Sequence, residues 1–151
     1  MRLADAARVL AQLRAGKRVV LANGCFDLLH VGHVRYLEAA RREGELLVVA
    51  VNDDASVRRL KGPGRPIQSA ADRLRIVSSL AAVDLAFVFE GEDVRAVIEA
   101  LRPDVHAKGT DYTEETVPER EAARALGAAI RIVGDPKSHA SRDVISRIRS
   151  G

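Results

Sequence analysis

The sequence predicts an α/β domain: a doubly wound parallel sheet of about five strands with helices on both faces. Three observations predict it. Compact β-rich runs alternate with stretches of helical period along the chain. The run at 46–51 is apolar at every position, so it needs cover on both faces of its sheet. The 151 residues, 47% hydrophobic and 30% charged, suffice for one buried core and suggest a single domain, 1–151. Within it, an N-terminal helix (1–16) precedes an α/β core (17–151).

The elements follow in order. Helical period at 3–15 leads into a strand at 18–22, Arg-Val-Val-Leu-Ala, and a helix at 31–43 that Gly44 ends as a left-handed residue. The apolar strand at 46–51 comes next. Lys61-Gly-Pro-Gly-Arg-Pro66 carries two glycines and two prolines, which prevent helix or inner strand, so it reads as a loop. Ser69 caps a helix at 70–80. Strands at 84–89, 104–107 and 129–133 alternate with helices at 94–101 and 118–126, the latter stopped by Gly127, and a helix at 143–148 closes the chain. No internal repeat or dividing linker is visible.

Composition narrows the partners. Lys and Arg number 24 against 21 Asp and Glu, a net +3 that favours small phosphate-bearing ligands. Aromatic residues are 3% and tryptophan is absent, which leaves few stacking platforms and argues against a nucleic-acid partner. The apolar run at 46–51 is far short of the roughly 20 residues that span a bilayer, so no membrane partner is expected. Asp5, Arg8 and Arg14 interrupt the N-terminal apolar pattern, unlike a secretory signal, and a cytoplasmic location is expected. Cys25 is the only cysteine, so no internal disulfide forms.

The chemistry concentrates in Asn23-Gly-Cys-Phe-Asp-Leu-Leu-His-Val-Gly-His33, between the first strand and the second helix. That is an anion-binding position, because a helix N-terminus there presents unpaired N–H groups and a partial positive charge. His30 and His33, three apart, project from one face toward one phosphate chain. Gly32 removes a side chain between them; Gly24 allows close backbone approach or positive φ. On the residues alone other readings stay open. The histidines can be polar surface; Asp27, His30 and His33, with His106 or His139, can hold a metal, though zinc usually takes three or four protein ligands; and Cys25 can pair with histidine as a nucleophile. Lys61 and Arg65 on the Gly/Pro loop, with Arg58 and Arg59 upstream, read as a solvated basic turn or as a lid carrying positive charge. Arg73 reads as a helix-surface residue. Lys108-Gly-Thr-Asp-Tyr112 follows the fourth strand; its order is not that of a P-loop, and it reads as a capped turn or a ligand contact.

The segment from Gly24 to His33 resembles the GxFDxxHxGH motif of the cytidylyltransferase-like nucleotidyltransferases, which have a Rossmann-like fold. The segments 51–66 and 101–112, with Asp72-Arg73 and Val83-Asp84, are similar to those of the bacterial D-glycero-β-D-manno-heptose 1-phosphate adenylyltransferases, the ADP-heptose synthases. The likeness covers most of 17–150 and suggests a stand-alone nucleotidyltransferase without the sugar kinase domain of some relatives. It implies His30, His33 and Lys61 as catalytic residues. It implies nucleotide contacts from Gly24, Cys25, Phe26, Asp27, Gly32, Lys108, Gly109, Asp111 and Ser141, and acceptor contacts from Asn52, Arg65 and Arg73. ATP and a sugar 1-phosphate are the implied substrates, with Mg²⁺ bound mainly through nucleotide phosphates and no protein ligand to the metal assigned. A homodimer, with the helix at 3–15 as a contact surface, is a further expectation. The segment 138–142 departs from the family's Ser/Thr-rich pattern, although Ser141 still offers a hydroxyl. A cytidylyltransferase acting on glycerol 3-phosphate, or a nucleotide-binding module without turnover, are the alternatives.

Overall fold

The computed structural model describes residues 1–91, 93–135 and 141–150. Five strands, β1 (Val19–Gly24), β2 (Leu46–Asn52), β3 (Leu85–Phe89), β4 (Val105–Lys108) and β5 (Ala129–Ile132), form one sheet. Its order is β3-β2-β1-β4-β5, with every pairing parallel, as the sequence predicts. The helices are α1 (Leu3–Leu13), α2 (Val31–Arg41), α3 (Asp54–Lys61), α4 (Ala70–Ser78), α5 (Arg95–Leu101), α6 (Arg120–Ala125) and α7 (Ser141–Ser150).

β2 is buried at every position, and its side chains alternate between two apolar layers. Leu46, Val48 and Ala50 pack with Leu10 of α1, Ile98 of α5 and Ala123 of α6. Leu47, Val49 and Val51 pack on the other face with Leu37 of α2 and Val77 of α4. Each fully buried Leu or Ile contributes about 1.5–3 kcal/mol relative to exposure. The apolar face of α1 is part of this core: Ala6 and Leu10 are buried while Leu13 stays exposed.

Three local readings are corrected. A helix that the sequence pattern did not predict follows β2: α3 is capped by Asp53, whose carboxylate accepts the Ser56 N–H at 3.0 Å, and stops at Gly62, φ +97°. Lys61 is therefore the last residue of a helix rather than part of the Gly/Pro loop. Gly44 is not left-handed; glycine is needed there because a Cβ would lie 2.6 Å from the Arg18 carbonyl oxygen. Gly127 does adopt φ +80°, and Ser69 Oγ accepts the Asp72 N–H, as expected.

From β1 the chain winds outward through β2 to β3, then returns to lay β4 on the other side of β1. The order thus reverses between β1 and β4. In open α/β sheets the crevice beyond the carboxyl ends at such a reversal is the ligand position. Among the described residues no helix is long and apolar enough to cross a membrane.

Candidate active site

β1 delivers the chain to this crevice at Gly24. A Cβ on Gly24 would come within 3.2 Å of the Phe26 ring, so the residue is bare to let that ring close over the strand end, not to reach positive φ. Phe26 (φ +52°) and Leu28 (φ +51°) are left-handed without being glycine, at a cost of roughly 1–2 kcal/mol each. Asp27 between them holds the turn in place. Its carboxylate, 1% exposed, accepts Arg65 Nε at 2.9 Å, the Ile67 N–H at 2.8 Å and the Gln68 N–H at 3.0 Å. Gln68 Oε1 in return accepts the Leu28 N–H. Burial pushes the Asp27 carboxyl pKa up, but the two N–H donors and Arg65 outweigh it and hold the pKa below the ordinary range.

The turn ends in a capping box made by two histidines. His30 is the N-cap of α2; its Nδ1 accepts the Gly32 N–H at 3.1 Å, and its own N–H donates to His33 Nδ1 at 3.1 Å. The rings stack with centroids 3.9 Å apart, and Phe26 meets His33 edge-on. With each Nδ1 accepting, the neutral rings carry their protons on Nε2. The cap thus leaves Nε2–H as the donor on each imidazole beside a helix N-terminus, with His30 Nε2 itself buried in this structure.

Arg73 and Asn52, implied as acceptor contacts, are buried and hydrogen-bonded within the frame, while Arg65 and Cys25 are half-buried. Arg73 is not on the helix surface; it is fully buried, donating to the carbonyls of Gln68, Cys25 and Asn52 and to the Asp54 carboxylate. It ties the turn after β1 to the end of β2 and the start of α3. Asn52 is 3% exposed, with Nδ2 donating to Ser56 Oγ and the Gly91 carbonyl. The Arg65 guanidinium is held by Asp27, and Arg65 also lines a cleft of about 510 Å³ between the Gly/Pro loop and Ile145 and Arg149 of α7. Burial pushes the Cys25 thiol pKa up against the opposing field of Lys61, Arg73 and Arg65, so it stays protonated at neutral pH and is no activated nucleophile. Ser141 opens α7, but its side chain, with residues 138–140, lies outside the described residues.

On the β4 side, Lys108 ends the strand and is 7% exposed, and Gly109 begins a turn in which its carbonyl accepts the Tyr112 N–H. Asp111 sits exposed on that turn. Lys108 Nζ lies 4.6 Å from the Tyr112 ring centroid and 3.6 Å from Glu119 Oε1.

A cytidylyltransferase-like family model matches residues 21–146, spanning both sides of this crevice. The chain belongs to the cytidylyltransferase-like family. It is 46% identical over 146 residues to the bifunctional protein HldE of Geotalea uraniireducens, covering 97% of this chain and 30% of the relative. It is also 46% identical over 135 residues to the bifunctional protein HldE of Syntrophotalea carbinolica, covering 89% of this chain and 28% of the relative. The chain thus spans under a third of the length of these curated relatives. Among solved structures, the lipopolysaccharide core biosynthesis protein from Thermoplasma volcanium superposes with TM-score 0.71 at 28% identity, covering 81% of this chain and all of the other.

For this cytidylyltransferase-like chain, the donor set decides what kind of metal fits. Among the described residues no three His, Cys, Asp or Glu side chains cluster to hold an ion, and the Asp27 carboxylate is engaged by Arg65 and two N–H groups. Asp27, His30 and His33 therefore do not make a zinc site. Imidazoles, helix N–H groups and cations suit phosphate, and a metal fits here as an ion carried on phosphate oxygens. Sequence reasoning missed Glu119 and weighed His106 only as a metal ligand. No local pattern marks either, because their contacts lie on other elements.

Proposed function

We propose that this chain transfers AMP from ATP to D-glycero-D-manno-heptose 1-phosphate, releasing pyrophosphate and forming ADP-heptose for lipopolysaccharide or other surface glycans. The observation that carries the reading is the His30–His33 capping box at the β1/β4 reversal, which sets two Nε2–H donors at a helix N-terminus. Family membership supports nucleotidyl transfer. The likeness of 51–66 and 101–112 to the heptose 1-phosphate adenylyltransferases supports the substrates, as does similarity to a lipopolysaccharide core biosynthesis protein.

In this reading an oxygen of the acceptor phosphate attacks the α-phosphorus of ATP. The bond from that phosphorus to the oxygen bridging the β-phosphorus breaks, and pyrophosphate leaves with the electron pair. The acceptor's second pKa is about 6, so it is ionised at neutral pH and needs no general base. The chain's task is alignment and stabilisation of growing negative charge. His30 and His33 donate to the triphosphate, backbone N–H groups at Gly32 and the start of α2 add to them, and Lys61 brings a cation from the end of α3. Gly24 and Phe26 shape the nucleotide floor, Lys108, Gly109 and Asp111 line the β4 side, and Arg65 faces the acceptor once substrate competes with Asp27. Cys25, Asp27, Asn52 and Arg73 act by holding these groups in place. Mg²⁺ bound on the phosphates would supply further charge neutralisation.

The test is pyrophosphate release with Mg²⁺, crossing ATP, CTP, GTP and UTP against heptose 1-phosphate and glycerol 3-phosphate. Turnover confined to ATP with heptose 1-phosphate is expected. CTP with glycerol 3-phosphate overturns the substrates, and silence throughout overturns the activity.

A further inference from the structure

Four elements meet behind Lys108. Glu119, the residue before α6, is buried, and its Oε1 lies 3.6 Å from Lys108 Nζ and 3.9 Å from His106 Nε2. His106, fully buried on β4, donates from Nε2 to Asn23 Oδ1 of β1 at 3.1 Å, while Nδ1 has no hydrogen-bond partner among the described residues. From α2, Tyr36 donates its hydroxyl to the Ala107 carbonyl at 2.6 Å. This polar cluster sits inside the sheet's carboxyl edge, at the strand pair where the ligand crevice opens.

A buried carboxylate needs a cation or strong donors to remain charged. His106 does not serve as that cation: burial, with Lys108 nearby, drops its pKa to about 3, so it is neutral. Lys108 remains as the partner. Burial pushes its ammonium pKa down, and the negative charge of Glu119, 3.6 Å away, pushes it back up. The other groups facing Lys108 are Tyr112 from the following turn and His106 beside it; Tyr36 stands behind, its phenol kept protonated by burial.

We propose that Glu119 is a positioning residue that holds Lys108 at the end of β4 as a charged, aimed donor for the bound nucleotide. This rests on the reading of Lys108 as a nucleotide contact. Glu119 never meets substrate; it acts through Lys108.

The test compares Glu119→Gln, Glu119→Asp, Lys108→Ala and the Glu119→Gln/Lys108→Ala double variant. The readouts are KM for ATP, kcat, the pH profile of kcat/KM and the melting curve. Glu119→Gln is expected to raise KM for ATP roughly tenfold to a hundredfold, the scale of one charged hydrogen bond, with a smaller change in kcat. Its alkaline limb moves to lower pH, because Lys108 loses its proton sooner without the carboxylate. Glu119→Asp, which keeps the charge on a shorter arm, falls between it and the parent. In the Lys108→Ala background the Glu119 change has no further effect on KM.

An unmoved alkaline limb with unchanged KM in Glu119→Gln overturns the inference, and so do losses that multiply in the double variant. Should Glu119→Gln fail to fold, Glu119→Asp decides: a limb at lower pH than the parent supports the inference, and an identical limb overturns it. A parent protein that releases no pyrophosphate with any triphosphate overturns the nucleotidyl-transfer reading and this inference together. A working parent indistinguishable from a folded Glu119→Gln overturns the inference alone.

Discussion

The His30 N–H donates to His33 Nδ1 across 3.1 Å, and the two rings stack 3.9 Å apart, so helix cap and candidate donor pair are one structure. Replacing either histidine by alanine removes a donor and half of the cap. We expect kcat to fall on the order of 10²–10³ for His30→Ala and for His33→Ala. Stability should fall by only about 1 kcal/mol from the lost cap. Pyrophosphate-release kinetics and urea unfolding separate the two effects; a large activity loss with a small stability loss is the expected pattern.

Asp27 stabilises the fold through its ionised form. Its folded pKa lies below the ordinary value of 3.8, so its contribution is present above that value and is lost as pH falls through the folded pKa. Asp27→Asn should destabilise by on the order of 1–3 kcal/mol at neutral pH, because the amide offers Arg65 and the two N–H groups a poorer acceptor. The variant should also show a weaker dependence of stability on pH below about 4 than the parent. Urea unfolding across that range measures both.

His106 acts at milder acidity. Its pKa falls from 6.5 to about 3 on folding, so the unfolded chain takes up a proton below 6.5 that the folded chain refuses until near 3. Stability from this group is complete above pH 6.5 and declines as pH drops toward 3. His106→Gln keeps a donor for Asn23 without titrating. The difference in unfolding free energy between parent and variant should therefore change steadily across this window and be constant above it.

Gly44 and Gly127 should respond differently to alanine. At Gly44 the new Cβ meets the Arg18 carbonyl oxygen at 2.6 Å and Val20 Cγ2 at 2.8 Å, an overpacked contact costing about 1–3 kcal/mol. At Gly127 nothing lies within 4 Å, and the cost is the left-handed backbone alone, about 1–2 kcal/mol. In a Val20→Ala background, itself destabilised because Val20 is fully buried, the added cost of Gly44→Ala should shrink and that of Gly127→Ala should not, as read by double-mutant cycles in urea.

The sheet was legible because β2 is apolar on both faces, a pattern that only two covering layers satisfy. The place of the motif was legible because its histidines and glycines fall where strand β1 feeds helix α2, and His30 does cap that helix. α3 escaped because half of its eight residues are charged and only Ser56 and Val57 are buried; its signals were the Asp53 cap and the Gly62 stop. The roles of Asp27, Asn52 and Arg73 were illegible for another reason. Sequence shows that a side chain is polar, not whether it faces ligand or carbonyl oxygens brought in from elsewhere. Arg73 meets the carbonyls of Cys25 and Asn52, 48 and 21 residues away, and only the folded chain assembles them.

Nucleotidyl transfer is followed directly with ATP carrying radioactive phosphorus at the α position, incubated with heptose 1-phosphate and Mg²⁺. The label should enter a sugar nucleotide while the β and γ phosphates leave together as pyrophosphate, and His33→Ala should slow both equally. Label left in ATP or released as free AMP by the parent protein, or a His33→Ala variant as fast as the parent, would contradict it.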